Sequence, residues 1–392
     1  MIPVHEIKPG MAFDSAVYID DENLLVRANE PIKSTDIEKL LKWGIREVKT
    51  DGKPIAGQVI PKSQTAASAA VAVDMESLKL HGEYDQLRKR WISIRNDLRA
   101  TGNILQSNLS SLIDKKIFNN HEIIDQSQKI VSAVFEVPYY ALGLQNLIMS
   151  ENPLIHHAVH AAVYGSILAK ATNLSRPRVQ ELCFSMLVMD VGMSFVPKTV
   201  RNSPTSPNQE DWKSIQSHPL TSYKVLVHDA YVKTSLAVVA LQHHENFDGS
   251  GYPRGLRGNQ IDMFARIASI ADRYAALLED RHYRIGMLPY EAMKVILGVE
   301  GGRFDPVLLR AFLGALSMYP TGSFVELSTG EKGLVLGCSP DKPLRPLIRI
   351  LRTGDDQVVD SLEFIDLDKK LSVYIVKALT AVELGFNLAD EI

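Results

Sequence analysis

Two adjacent histidines stand just before a glycine-rich turn near the middle of the chain. The stretch reads His243-His244-Glu245 and, two residues later, Asp248-Gly249-Ser250-Gly251-Tyr252-Pro253. Imidazole and carboxylate side chains suit iron, manganese or zinc. A single buried histidine is more often a hydrogen-bonded core residue than a ligand, so donors elsewhere in the chain must support a metal site. Few folds need both features together, and this makes the stretch the most informative part of the sequence.

The composition is that of an ordinary globular protein. The chain has 392 residues, 45% hydrophobic and 23% charged, enough for one large core and one or two smaller domains. Its formal net charge of −3 provides no overall basic field for DNA or an anionic membrane, so a nucleotide would need a local cluster. Cys183 and Cys338 are too few for a disulfide framework or a thiolate zinc site. Without a signal-peptide pattern or a long apolar run, the protein is expected in the cytoplasm.

The first 150 residues are predicted to form three parts. Residues 1–55 combine short strand-like runs at 16–19 and 24–26 with a helix over 34–43, which predicts a small α+β domain. The Ala/Ser/Gln-rich stretch 56–75 is predicted to be a linker. Residues 76–150 are predicted to be helical, with further helix patterns at 121–137 and 139–149.

A heptad-like apolar stripe runs along the first of these helices, which is otherwise strongly charged. Its members are separated alternately by four and three positions: Leu80, Tyr84, Leu87, Trp91, Ile94 and Leu98. Such a stripe needs an apolar partner. The partner is either the protein's own core or the same helix of a second copy, and the second alternative predicts a homodimer.

The pattern changes from helices to strands after Pro320. Residues 151–318 are nearly all helical in pattern, whereas strand patterns occur at 323–327, 333–337 and 347–351, with a Thr329-Gly330 turn after the first. The sequence therefore predicts a mainly α protein. A helical domain over 151–318 lies between the small mixed N-terminal domain and a C-terminal β-rich element over 319–392.

The stretch over 243–253 resembles the signature of HD-GYP proteins, metal-dependent phosphohydrolases of the HD superfamily that linearise cyclic di-GMP. The resemblance covers about residues 154–316 and is weaker in the C-terminal strands. It implies an HD-superfamily helical bundle, a pair of divalent metals with iron or manganese favoured over zinc, and cyclic di-GMP as ligand. In phosphodiester hydrolysis, such a pair about 3.5–4 Å apart activates water and neutralises developing charge.

Matching the family's motifs to this chain in order gives ligands from separate stretches. The family's HD aspartate, which bridges the metals and acts in catalysis, falls on Asp190. The metal ligands that the resemblance implies are His160, Asp190, His218, His243, His244 and Asp272. Some family members hold a third metal with a carboxylate four residues before the early histidine. Here that residue is His156, one helical turn from His160, and it is either a further ligand or part of a polar helix start.

The HD pair itself departs from the family pattern. The family's HDxGK reads Met189-Asp190-Val191-Gly192-Met193 in this chain. Thioether sulfur is a weak ligand for hard or borderline ions, so Met189 should not replace the histidine. Met193 removes a cation from beside the phosphate, and the two losses should compound, leaving the metal pair weakened or absent. With Leu182 and Met186, these methionines form an apolar stripe that packing explains first.

Basic and aromatic residues near the motif predict nucleotide binding. Arg281 and Arg284 match the family's RPYR segment, whose basic residues bind phosphates, although the proline has become His282. Guanidinium groups bind phosphate oxygens bidentately, but two such arginines could also be solvated or salt-bridged. Tyr252 would face the nucleotide. Weaker candidates for the same basic rim are Lys198, Arg254 and Arg257.

Three functions are open from the sequence. The first is a cyclic di-GMP signalling protein with a degenerate site that binds the dinucleotide or a protein partner. The second is an active phosphodiesterase giving pGpG or GMP, in which a water, His156 or a mononuclear arrangement compensates for the missing imidazole. A structural adaptor is a third alternative. About two metal equivalents would favour the enzyme, and none would favour the receptor or adaptor.

Overall fold

The computed structural model describes residues 75–136, 150–280 apart from 202 and 204, 284–339 and 342–385, together with parts of residues 2–55. The chain divides into two compact units, Met1–Ala72 and Val73–Ile392. The predicted linker, apart from its last residue, and the predicted helix over 139–149 lie outside the described residues.

The described part of the first unit contains short antiparallel strand pairs. The strands are β1 Ile2–Pro3, β2 Ala12–Phe13, β3 Val17–Tyr18, β4 Leu24–Val26, β5 Glu47–Val48 and β6 Pro54–Ile55. Strand β1 pairs with β5, β2 with β6, and β3 with β4. Phe13, Val17 and Val48 are buried in a small apolar core of this unit. Only two positions of the helix predicted over 34–43, Ile37 and Leu40, are described, and both are helical.

The second unit is helical as far as residue 316. Its helices are α1 Met75–Lys115, α2 Asn120–Glu136, α3 Pro153–Ala171, α4 Arg176–Val188, α5 Lys198–Arg201, α6 Gln209–Gln216, α7 His218–His228, α8 Thr234–Gln242, α9 Met263–Leu278, α10 Pro289–Leu297 and α11 Pro306–Leu316. Local sequence explains several starts. The side chain of Asn152 accepts a hydrogen bond from the Leu154 N–H, and proline occupies the first position of α3, where its missing N–H costs nothing.

Helix α3 is the centre of the helical domain. It packs against α1, α2, α4, α9 and α11. Every residue from 157 to 169 is buried, which a helix requires when neighbours cover it on all sides. Because three histidines lie at its beginning, this burial places imidazoles inside the domain, where they must find polar partners.

The apolar stripe on α1 faces the core of its own chain. Tyr84, Trp91, Ile94 and Leu98 are all buried there. The Tyr84 hydroxyl accepts a hydrogen bond of 2.6 Å from Arg349 in the C-terminal sheet. These four side chains are therefore covered within the protomer, and the stripe gives no reason to expect a homodimer. The side chains of the other two stripe residues, at 80 and 87, lie outside the described residues.

We expect Ile94→Asp with Leu98→Asp to unfold the protein rather than release a folded monomer. Each aspartate would be buried without a partner, at a cost of several kcal/mol. Circular dichroism and light scattering together test this. A well-folded double variant that is half the mass of the wild type would show instead that the stripe joins two copies.

The C-terminal region forms a five-stranded antiparallel sheet in the order β10-β9-β8-β7-β11. Its strands are β7 Phe324–Leu327, β8 Lys332–Gly337, β9 Leu347–Arg352, β10 Val358–Asp366 and β11 Ile375–Leu379, and helix α12 Ala381–Leu384 follows. The first three strands were predicted. The two edge strands were not. No residue of β10 is fully buried and its register shifts after Val358, so its sequence lacks a clear alternation. In β11 only Leu379 is buried.

The prediction of a mainly α protein with small β-containing parts at both ends is confirmed. Among the helices that the structure describes, none has the length and hydropathy needed to span a bilayer.

Candidate metal centre

Asp190 lies where α4 passes into a 3₁₀ turn, Val191–Phe195. Glycine at position 192 allows this turn to lie against α7, since a Cβ there would be 2.3 Å from the carbonyl oxygen of His218. The Gly192 N–H also donates to Ser222 Oγ at 2.8 Å. This close contact brings the first residue of α7, His218, beside Asp190.

A first group of donors consists of Asp190, His218, His243 and His244, whose donor atoms lie within 4.8 Å of one another. Asp190 Oδ1 is 3.1 Å from His218 Nε2 and 3.4 Å from His243 Nε2. The two Nε2 atoms are 3.4 Å apart. Helix α8 ends directly before His243, so the adjacent imidazoles project from a helix terminus.

The other ring nitrogens show that these histidines suit a metal. Nδ1 of His218 donates to the Ile215 carbonyl at 2.7 Å, and Nδ1 of His243 donates to the Ala240 carbonyl at 3.0 Å. Because a carbonyl can only accept, Nδ1 of each ring carries a proton, and Nε2 is the nitrogen directed at the Asp190 carboxylate. A proton on Nε2 can bridge to the carboxylate, and a cation that displaced this proton would take the same place. The fixed tautomer of both rings is the one that metal-ligating histidines adopt, so the donor set fits a divalent ion.

Burial and charge set the protonation of this group. Burial opposes ionisation of Asp190, yet hydrogen bonds from His218 and His243 hold its pKa well below the usual range. Burial and the neighbouring His243 lower the pKa of His244 well below the usual histidine value. Asp190 is therefore a carboxylate and His244 a neutral imidazole near neutral pH, which are the forms that bind metals.

A second group consists of His157, Asp190 and Asp272. His157 Nε2 donates to Asp272 Oδ1 at 2.8 Å and lies 3.9 Å from Asp190 Oδ2. Burial opposes ionisation of Asp272, but the hydrogen bond from His157 lowers its pKa to about 2. Asp190 thus belongs to both groups, through one oxygen each, as a bridging carboxylate does in a two-metal centre.

Glu279 orients His157 from the other side. Its Oε2 accepts a hydrogen bond from His157 Nδ1 at 3.0 Å. Burial lowers the pKa of His157, but Glu279 and Asp272 together raise it well above the usual value. His157 therefore donates from both ring nitrogens, and a metal ion at Nε2 would have to displace the proton there while the Nδ1 contact with Glu279 kept the ring oriented. Sequence reasoning missed Glu279, which directly follows the last residue of α9, seven positions or about two helical turns after Asp272.

The early histidine of the family motif was predicted to be His160. His160 does not belong to the second group, and the structure places His157 there. His160 is fully buried and its ring centroid is 4.1 Å from that of His156. With Glu279, these two histidines form a separate group whose donor atoms lie within 4.8 Å of one another. The rotation of α3 about its axis decides which histidine meets Asp190, and packing against neighbouring helices sets that rotation.

The glycine-rich turn is attached to the first group. Buried Glu245 accepts hydrogen bonds of 2.8 Å from the backbone N–H groups of Arg254 and Leu256. Glycine is needed at 251, because a Cβ there would be 2.2 Å from the backbone nitrogen of Asn246. The Tyr252 ring consequently stacks on His244, with centroids 4.9 Å apart. Glu245 therefore has a structural role, and Tyr252 covers one side of the imidazole cluster.

The structure changes the interpretation of Arg284. Its guanidinium donates to the carbonyl oxygens of Ala276 at 2.7 Å and Leu277 at 3.0 Å. These are among the last carbonyls of α9, which otherwise lack helical partners. Arg284 thus caps a helix in this structure, and its contact with substrate phosphate stays a prediction. Arg281 lies outside the described residues, and the side chains of Lys198, Arg254 and Arg257 are exposed.

The methionines that replace the family's histidine and lysine belong to different surroundings. Met189 is fully buried in the helical core, whereas Met193 is only partly buried. Met186 packs so tightly on Gly165 that a Cβ at 165 would be 2.2 Å from its sulfur. Packing thus accounts for the buried part of the stripe. Within the described residues, the second group has three donors and the first has four.

Comparison with known proteins gives the following matches. Residues 143–308 match the family model of the HD domain, and residues 324–387 match that of a KOW domain associated with the HD domain. The chain is similar to the cyclic di-GMP phosphodiesterase PA4108 of Pseudomonas aeruginosa, with 27% identity over 346 residues, 85% of this chain and 80% of the relative. The cyclic di-GMP phosphodiesterase PdeB of Borreliella burgdorferi is 23% identical over 356 residues, 89% of this chain and 87% of the relative. Among solved structures, Bd1817 of Bdellovibrio bacteriovorus, a HDG"Y"P protein, has 17% identity and a TM-score of 0.46, covering 79% of this chain and 97% of that one.

Proposed function

We propose that this chain, whose residues 143–308 match the family model of the HD domain, binds cyclic di-GMP at its metal centre and hydrolyses it slowly or not at all. The observation that carries this proposal is the unequal pair of donor groups that share Asp190. One group has three imidazoles and a carboxylate, and the other has only three donors. Both relatives described above are named cyclic di-GMP phosphodiesterases, and for this reason cyclic di-GMP is the proposed ligand.

Each group defines a position for a divalent ion. His218, His243, His244 and Asp190 would hold the first ion, and His157, Asp190 and Asp272 the second. A divalent ion there neutralises phosphate charge and lowers the pKa of water. Iron or manganese is the proposed metal, because imidazoles are mixed here with carboxylates. The second position binds more weakly, since a buried methionine at 189 stands where the family has an imidazole.

The protein's own side chains favour binding over turnover. Tyr252 presents an aromatic surface beside the imidazoles, suited to contact with a nucleotide. Met193 carries no charge, and Arg284 caps α9, so neither stabilises the leaving oxygen. Catalysis depends on groups that bind the transition state more strongly than the ground state. Without charged groups at these two positions, the rate of hydrolysis should fall more than the affinity for cyclic di-GMP.

The four-donor group also supports a second candidate function. A single well-held ion beside Asp190 could sustain phosphodiester hydrolysis to pGpG or GMP. Both functions require that cyclic di-GMP binds, and they differ only in turnover. A measurement of product formation therefore distinguishes them, whereas a measurement of binding does not.

Titration calorimetry with cyclic di-GMP tests the proposal. Protein purified without chelator should bind saturably, with affinity that falls as salt increases, whereas chelator-treated protein should bind at least about tenfold more weakly, a difference of about 1.4 kcal/mol. Chromatography of the same samples should show little or no pGpG or GMP. Rapid product formation would favour the second function, and no binding in either state would leave a protein-partner or adaptor role.

Two variants make this experiment specific. His218→Ala removes one donor of the first group and should lower metal content and dinucleotide affinity together. His228→Ala, at the exposed end of the same helix α7, is the matched control. It should stay within about twofold of the wild type, as surface substitutions usually do.

A further inference from the structure

A cavity of about 600 Å³ lies between the helical domain and the C-terminal sheet. Its walls come from the start of α3, the segments that end α9 and begin α10, and parts of β7, β11 and α12. Its polar lining comprises Ser150, Glu151, His156, Glu279, Asp280, Ser323 and Thr380. The volume is within the range of small-molecule sites, about 300–1,000 Å³.

The cavity adjoins the second metal position. Glu279, one of its lining residues, accepts a hydrogen bond from His157 at 3.0 Å. The same imidazole contacts Asp272 at 2.8 Å. A molecule with a phosphate at the metal centre could therefore extend another part into this cavity.

The lining chemistry excludes phosphate from the cavity itself. Three carboxylates, Glu151, Glu279 and Asp280, line it, and none of the described lining residues is lysine or arginine. Carboxylates accept hydrogen bonds and repel anions. The expected occupant is thus a neutral group that carries hydrogen-bond donors.

The remaining walls suit a flat aromatic group. Leu278, Phe324 and Leu379 line the cavity with apolar side chains. Ser323 is only 5% exposed, and its hydroxyl has no hydrogen-bond partner within the described part of the chain. A buried hydroxyl without a partner is costly and is usually satisfied by water or a bound molecule.

We propose that this cavity binds a guanine base of cyclic di-GMP, and this inference rests on the proposed function. Guanine carries ring and amino N–H donors on one edge, which suit the carboxylates, and acceptors on the other, which suit the Ser323 hydroxyl. Adenine lacks the ring N–H donor on the corresponding edge. The C-terminal domain is thus a specificity element, because it supplies Ser323 and Phe324 to the base.

A filling variant and a matched neighbour test the location. Ala381 lines the cavity, whereas the adjacent Val382 does not and is 90% exposed. Ala381→Trp should weaken cyclic di-GMP binding at least about tenfold by occupying the space. Val382→Trp should stay within about twofold of the wild type. Unchanged affinity of a folded Ala381→Trp protein would overturn the proposal.

A second variant tests the base chemistry and remains decisive if Ala381→Trp fails to fold. Ser323→Ala should weaken binding of cyclic di-GMP about three- to tenfold, the effect of one hydrogen bond, and leave cyclic di-AMP binding unchanged. Equal losses for both dinucleotides, or none, would overturn the assignment. So would a fall in metal content without a change in dinucleotide affinity, since the cavity would then hold a cation. If the wild type binds no cyclic di-GMP with metal present, the proposed function itself fails.

Discussion

Met189→His combined with Met193→Lys should raise hydrolysis of cyclic di-GMP at least about a hundredfold above the wild type, which should have little or no turnover. By the family resemblance, a histidine at position 189, next to Asp190, would add a fourth donor to the group around His157 and Asp272. The lysine restores a cation beside the phosphate, and one such charge-stabilising group contributes about 2.7–4 kcal/mol to the rate. Release of pGpG and GMP with manganese or iron measures the rate, and metal analysis should show about two equivalents where the wild type holds about one.

Two controls separate chemistry from packing. Met186→Leu changes another buried methionine of the same stripe with nearly constant volume and should leave metal content and turnover as they are. Met193→Lys alone tests the cation without disturbing the core. Vigorous hydrolysis by the unmodified protein would contradict the proposal of a binding protein. A double variant that holds both metals yet remains inactive would show that neither methionine explains the low turnover.

Motifs with fixed order and helix-terminal positions predicted much of the site. Asp190, His218, His243 and Asp272 are brought together as the resemblance implies, since a glycine contact and the ends of α4 and α8 position them. The glycine-rich turn was also informative, because its residues are fixed by local backbone contacts. A turn whose backbone requires glycine at fixed positions can be predicted from the sequence alone.

Tertiary packing determines the parts of the site that could not be predicted from the sequence. Three histidines lie close together at the start of α3, and only the rotation of that helix selects His157 for contact with Asp272. The charge of Arg284 was evident, but its use in capping α9 depends on the path of the loop that follows. The guanine cavity joins segments more than 200 residues apart, from Ser150 to Ala381, so no motif could reveal it.

Asp190→Asn should abolish metal binding at both positions. The carboxylate contributes an oxygen to each group, and amide oxygen is a far weaker ligand because it carries no charge. Replacing a residue that donates directly to both ions should lower metal affinity by more than the ten- to hundredfold typical of residues that only orient a ligand. We therefore expect less than about a tenth of the wild-type metal content after purification without chelator, with a parallel loss of cyclic di-GMP affinity.

Comparison with single-position variants shows whether Asp190 bridges. His157→Ala should keep about one metal equivalent, as in the wild type, because its ring belongs only to the weakly binding second group. Asp229→Asn is the matched control, since Asp229 directly follows α7 and pairs with the exposed Lys116. It should retain the wild-type metal content. If Asp190→Asn also retained one equivalent, the two groups would not share a ligand, and metal binding would have to rest on the imidazoles of the first group alone.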